Sequence, residues 1–253
     1  MKLRNISILI VVLVVILAGL LIFTVSINLT GEDNKINEVN KVNKTDSSLS
    51  SGFTTVNLGS NDMGSVDLIG PIGNKNSNIK IAYIIGVHPL ESNVHNALYN
   101  SIISKDGSLN YCYYIYKINV TKAADDYDVG RMNGQLLAKE FVVPDASSKG
   151  YNLVVDIHSN QGTAGGSYEE TNFIFAPLNN PTSKTFADKI IAKIPPLVYY
   201  FPKSQTSPEY VTVPIINSGT PAIVYETYRY ESNEITVDYI NKLINIIDNL
   251  KFK

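Results

Sequence analysis

Residues 79–91 read Ile-Lys-Ile-Ala-Tyr-Ile-Ile-Gly-Val-His-Pro-Leu-Glu. From Ile79 to Val87 almost every residue is aliphatic or aromatic, with no polar alternation. A half-buried strand would alternate, so an unbroken run predicts a strand covered on both faces, as in a parallel sheet. His88-Pro89 ends it, because Pro89 has no N–H to give a ladder. Ser92–Ser104 follows with Val94, Leu98 and Ile102 at helical spacing. The same alternation continues outward. Tyr111–Val120, Leu153–His158, Asn172–Ala176, Leu197–Phe201 and Ala222–Glu226 predict further strands. Arg131–Val142, Thr182–Ile194 (stopped by Pro195-Pro196) and Glu234–Leu250 predict helices. Strands alternating with helices imply an α/β fold: a mostly parallel mixed sheet with helices on both faces. Residues 53–73 read as an added edge strand or a short hairpin, with no position in the sheet that their pattern decides.

Composition narrows the function. The chain has 253 residues, 44% hydrophobic and 17% charged, which permits a sizeable core and excludes disorder throughout. Twenty-one basic and 23 acidic residues leave a net charge of −2, which argues against a nucleic-acid partner. One cysteine, Cys112, excludes an intramolecular disulfide or a cysteine-rich zinc finger. Only three histidines exist, His88, His95 and His158, so any histidine chemistry must use them.

The hydrophobic surplus is concentrated near the N-terminus. Ile8–Val25 carries no charge, and at ~1.5 Å per residue the wider stretch Ile6–Ile27 spans the ~30 Å of a bilayer's hydrocarbon. Lys2 and Arg4 precede it, which keeps the N-terminus cytoplasmic and sends the rest outside. Residues 1–27 are therefore expected to be a cytoplasmic stub and transmembrane signal anchor. The apolar run is longer than that of a cleaved signal peptide. Residues 28–52, rich in Asn, Lys and Ser, read as a flexible polar linker. Residues 53–253 are expected to form one extracytoplasmic catalytic domain.

In open α/β sheets, sites form beyond the carboxyl ends of strands. Three predicted strands end in reactive side chains: one runs into His88-Pro89-Leu90-Glu91, one into His158-Ser159-Asn160, and one into Glu226. Two histidines and a carboxylate suit a catalytic zinc that keeps one position open for water. A further glutamate suits a general base. His95 is a possible ligand, sharing a helix face with Glu91. In the plain alternative, Glu226 is a strand-end carboxylate paired with Arg229.

These residues resemble a family. His88-Pro-Leu-Glu91, the later Asp156-Ile-His158-Ser159 and a glutamate on a late strand resemble zinc carboxypeptidases of the M14 type, including the succinylglutamate desuccinylase/aspartoacylase relatives. The resemblance runs from about Lys80 to the end of the chain. It implies one zinc ion held by His88, Glu91 and His158, with Glu226 as general base. The family's Asn-Arg pair, which holds a substrate carboxylate, has its nearest match in Asp128-Val129-Gly130-Arg131. Arg131 is then implied in substrate binding and catalysis. Gly130 stands where the family has Asn, and Asn133 is a candidate substitute. The family's tyrosine proton donor is matched by Tyr210, with Tyr199 and Tyr200 as rivals. The expected function is amide hydrolysis by a membrane-anchored zinc enzyme acting on cell-wall or exogenous peptides. The alternatives are an N-acyl amino acid deacylase and a non-catalytic wall-peptide-binding module on the same fold.

Overall fold

The computed structural model describes residues 52–165, 168–204 and 206–252. The anchor expected over 1–27, and all of the expected linker but Gly52, lie outside them. No helix of the described residues is long and apolar enough to cross a membrane.

Eight strands make one sheet: β1 (Thr54–Asn61), β2 (Gly64–Gly73), β3 (Lys80–Ile85), β4 (Cys112–Val120), β5 (Leu153–Asn160), β6 (Phe173–Phe175), β7 (Val198–Tyr199) and β8 (Ala222–Tyr228). Their order is β1-β2-β4-β3-β5-β8-β6-β7. The central strands β4, β3, β5 and β8 are mutually parallel. Antiparallel pairing is confined to the flanks. Residues 53–73 resolve into a hairpin, β1–β2, whose second strand extends the sheet beside β4. Its ladder slips between Ile69 and Ile72, where Pro71 has no N–H to donate.

The principal helices are α1 (Ser92–Ser104), α2 (Tyr127–Leu137), α3 (Val143–Ser148), α4 (Pro181–Ile191), α5 (Ser207–Tyr210), α6 (Thr212–Asn217) and α7 (Asn233–Ile247). A wide π-helical turn over Ala138–Val142 joins α2 to α3. The helix predicted from Arg131 therefore begins a turn earlier. The cause is Asp126, whose carboxylate accepts the amides of Asp128 and Val129 at 3.0 and 2.8 Å and caps α2.

Both faces of the sheet are covered. On one, Tyr83, Ile115, Val155 and Tyr225 pack under α1, α4 and α7. On the other, Ala82, Ile84, Val154 and Ala222 pack under α2, α3 and α6. Each fully buried Ile or Val contributes roughly 1.5–3 kcal/mol of transfer free energy. Strand parity explains where this second core stops. Val154, Asp156 and His158 share a face of β5, and Ala222, Val224 and Glu226 share the same face of β8. Towards the carboxyl ends, charge replaces hydrocarbon, and the site begins there.

Candidate metal centre

His88 leaves the end of β3, and the single turn Pro89–Glu91 brings the Glu91 carboxylate back beneath it. Glu91 Oε1 lies 2.8 Å from His88 Nδ1, and Oε2 lies 3.0 Å from His158 Nδ1. One ligand atom from each residue fits within 4.8 Å of the other two, and all three side chains are buried. The Ser159 amide donates to Glu91 Oε2 at 3.0 Å, and Arg131 Nη1 donates to Oε1 at 2.9 Å. In the parallel register His158 stands directly opposite Glu226, so the general-base candidate sits beside the last ligand. Asn160 Nδ2 donates to Glu226 Oε2 at 3.2 Å and holds that carboxylate.

The atoms behind the triad fit a divalent metal. Both histidines turn Nδ1 towards the Glu91 carboxylate, so each needs an acceptor for an N–H on its far nitrogen once Nδ1 is a ligand. His158 Nε2 lies 3.1 Å from Asp156 Oδ2. His88 Nε2 faces the amide nitrogen of Gln135 at 3.2 Å, while Gln135 Oε1 is buried with no hydrogen-bond partner. A half-turn of that amide sets Oε1 against His88 Nε2 and removes the orphan. Two neutral imidazoles and one carboxylate are the donor set of a catalytic zinc with an open position.

Packing of α2 places both supporting side chains. A Cβ on Gly134 would stand 1.9 Å from the Val87 carbonyl oxygen, so only glycine lets α2 come this close to the chain leading into His88. Arg131 and Gln135 are one helical turn apart and meet Glu91 and His88 respectively. Gly130 is equally constrained, since a Cβ there would lie 2.7 Å from the Ala123 carbonyl oxygen. The asparagine expected from the family pattern therefore has no room at that position.

Electrostatics follow from burial and proximity. Burial opposes the charge of Glu91, but the imidazoles of His88 and His158 hold its carboxyl well below the usual range. Burial, aided by the charges of His158 and Arg131, pushes His88 down to about 4. His158 goes the other way: against its burial, the carboxylates of Asp156 and Glu91 raise it well above the ordinary value. Burial, joined by the charge of Glu91, pushes the Glu226 carboxyl up to about 8. A carboxyl held near neutrality suits proton transfer in both directions.

Among the residues expected in the site, His88, Glu91, His158, Arg131 and Glu226 come together. Asn133 does not join them; its amide donates to the Lys122 carbonyl at 2.9 Å. Tyr210 lies under Lys139, whose ammonium sits 5.6 Å from its ring centre, and does not line the cleft. The tyrosine that does is Tyr168, which faces both Glu226 and Arg131. Its ring packs on Phe173 and Tyr200. His95 is buried against the backbone, Nε2 at 3.0 Å from the Ile157 carbonyl oxygen. Arg229 lines the cleft but forms no ion pair with Glu226 or any other described residue. Neither Gln135 nor Tyr168 stands out in the sequence, although Gln135 lies four residues after Arg131 and so on the same helix face.

The described fold aligns with a proposed carboxypeptidase A from Shewanella denitrificans at a TM-score of 0.54, with 14% identity over 78% of this chain and 64% of that one. It aligns with a metallo-carboxypeptidase from Burkholderia cenocepacia at 0.52, with 13% identity over 79% of this chain and 65% of that one. The fold is that of the metallo-carboxypeptidases. The chain spans just under two thirds of the length of these two structures. No family model and no curated protein matches the sequence. At such identity the metallo-carboxypeptidase likeness establishes architecture, and the chemistry rests on the triad and its neighbours.

Proposed function

We propose that this chain is a zinc-dependent hydrolase of amide bonds in peptides. The observation that carries the reading is the convergence of His88 Nδ1, the Glu91 carboxylate and His158 Nδ1, with Glu226 in register beside His158. His88, Glu91 and His158 would hold the ion. When bound, zinc supplies a Lewis acid for the substrate carbonyl and a water of lowered pKa. Glu226 takes the proton from the attacking water on its carboxylate and returns it to the leaving amine. Asn160 keeps that carboxylate oriented through both transfers. Arg131, anchored on Glu91, brings a positive charge to the cleft wall that would offset a developing oxyanion. The apolar run Ile8–Val25 supports an export-and-tether arrangement, in which wall or exogenous peptides are the available substrates.

The test is metal analysis of the full chain combined with peptide hydrolysis. The expected result is about one zinc per chain. Zinc should be lost in His88→Ala and His158→Ala. Glu226→Gln should keep the metal and lose about 10²–10⁴-fold in turnover. A metal-loaded wild type that cleaves no peptide acid would leave the hydrolase reading without support.

A further inference from the structure

The family pattern implies that a substrate carboxylate lands on Arg131, but one arm of the Arg131 guanidinium is already engaged by Glu91. Its Nη1 donates to Glu91 Oε1 at 2.9 Å, and its Cζ lies over the Tyr127 ring at 5.0 Å from the ring centre. The asparagine that would complete a clamp at its side is excluded by the close approach of Gly130 to Ala123. The cleft contains a second guanidinium. Arg229 lines it together with Glu226, Arg131 and Tyr168. Arg229 is half-buried and has no carboxylate partner among the described residues. A cation at a cleft wall with its charge uncompensated is a ready receptor for an anion, and a guanidinium's fork matches a carboxylate.

The backbone beneath Arg229 is held firmly. Its amide donates to the Asn160 carbonyl at 2.7 Å, and the same Asn160 holds Glu226 through its side chain. One residue earlier, the Tyr228 amide donates to Asn172 Oδ1 at 3.2 Å. Asn160 thus couples the position of the proton-transferring carboxylate to that of the free cation. A substrate group seated on Arg229 would be placed relative to Glu226 by a short, hydrogen-bonded path.

We infer that Arg229, rather than Arg131, receives the free carboxylate of the substrate, so that the cleft selects peptide acids over their amides. This rests on the hydrolase reading for its role in catalysis, though the binding itself does not require turnover.

The probes are acetyl-Ala-Ala-Ala and its C-terminal amide, titrated calorimetrically into the zinc-loaded full chain. Wild type should bind the acid about 10- to 100-fold more tightly than the amide, the range expected for one charge-assisted pair. Arg229→Gln should erase that preference at unchanged zinc stoichiometry, and Arg229→Lys should restore part of it. No preference in wild type, a preference that survives Arg229→Gln, or one lost only in Arg131→Gln would each overturn the inference. Hydrolysis is scored separately with Glu226→Gln as its blank. An Arg229-dependent preference without cleavage keeps the subsite and removes the hydrolase. Cleavage without an Arg229 effect does the reverse.

Discussion

The amide nitrogen of Gln135 faces Nε2 of His88 at 3.2 Å, nitrogen against nitrogen. That contact is favourable only while His88 carries its proton on Nδ1, where Glu91 Oε1 accepts it at 2.8 Å. A metal on Nδ1 displaces that proton and moves the N–H to Nε2. The amide must then present its oxygen, one of the buried side-chain atoms without a hydrogen-bond partner among the described residues. Gln135→Leu removes the acceptor and should weaken zinc binding about 10- to 100-fold, whereas Gln135→Glu should retain most of it. Competition against a chelator of known affinity measures both. Equal affinities for wild type and Gln135→Leu would mean that the amide does not support the loaded state.

The pH response of the metal-free chain should carry the signature of Glu226. Burial raises its carboxyl in the folded state from the ordinary value to about 8. In acid the group is protonated whether the chain is folded or not, and stability is unaffected. As pH rises through the window up to about 8, the unfolded chain releases its proton first. Stability is therefore lost with rising pH, by an amount on the order of a few kcal/mol. Glu226→Gln should escape this loss. Denaturant titrations at pH 5 and pH 8, with zinc removed, should show the variant gaining on wild type at the higher pH. A difference that stays constant or shrinks would contradict the buried, proton-holding carboxyl.

Much of this architecture is legible in the sequence, for reasons that differ by element. The strand Lys80–Ile85 announces itself through an unbroken apolar run and the helix Ser92–Ser104 through local periodicity. So do the triad residues, because each stands where an apolar run meets polar residues at a strand's carboxyl end. The hairpin over 54–73 is harder, since its partner is β4, some forty residues on, and no local pattern encodes that distance. Asn133 and Tyr210 are drawn in by the family pattern, and packing turns both elsewhere. Gln135 and Tyr168 enter the site through tertiary approach. Gln135 depends on Gly134 letting α2 touch Val87, which is invisible until the two segments are in contact.

Zinc should stabilise the fold measurably, because the triad joins two separate segments of chain. His88 and Glu91 follow β3, while His158 belongs to β5. A ligand that binds only the folded state adds about 2.7 kcal/mol at a hundredfold excess over its Kd. For a domain of this size that is roughly 5–10 °C in Tm. Scanning calorimetry with and without chelator should show the shift in wild type and little of it in His158→Ala. A shift of the same size in His158→Ala would place the metal elsewhere.

His95 provides the sharpest discrimination between a structural and a ligating histidine. It is buried on α1, and its Nε2 donates to the carbonyl of Ile157, the residue before His158. Burial pushes its imidazole towards the neutral form, which leaves one N–H to give and uses it on the strand. The bond therefore ties α1 to the backbone that carries the third ligand. His95→Ala removes the donor and leaves the Ile157 carbonyl oxygen buried without it, which should cost about 1–3 kcal/mol of stability. Zinc stoichiometry should stay near that of wild type, because no ligand atom is lost. Paired measurements of unfolding midpoint and bound zinc separate the two roles. A variant that folds with wild-type stability but binds no metal would make His95 a ligand after all.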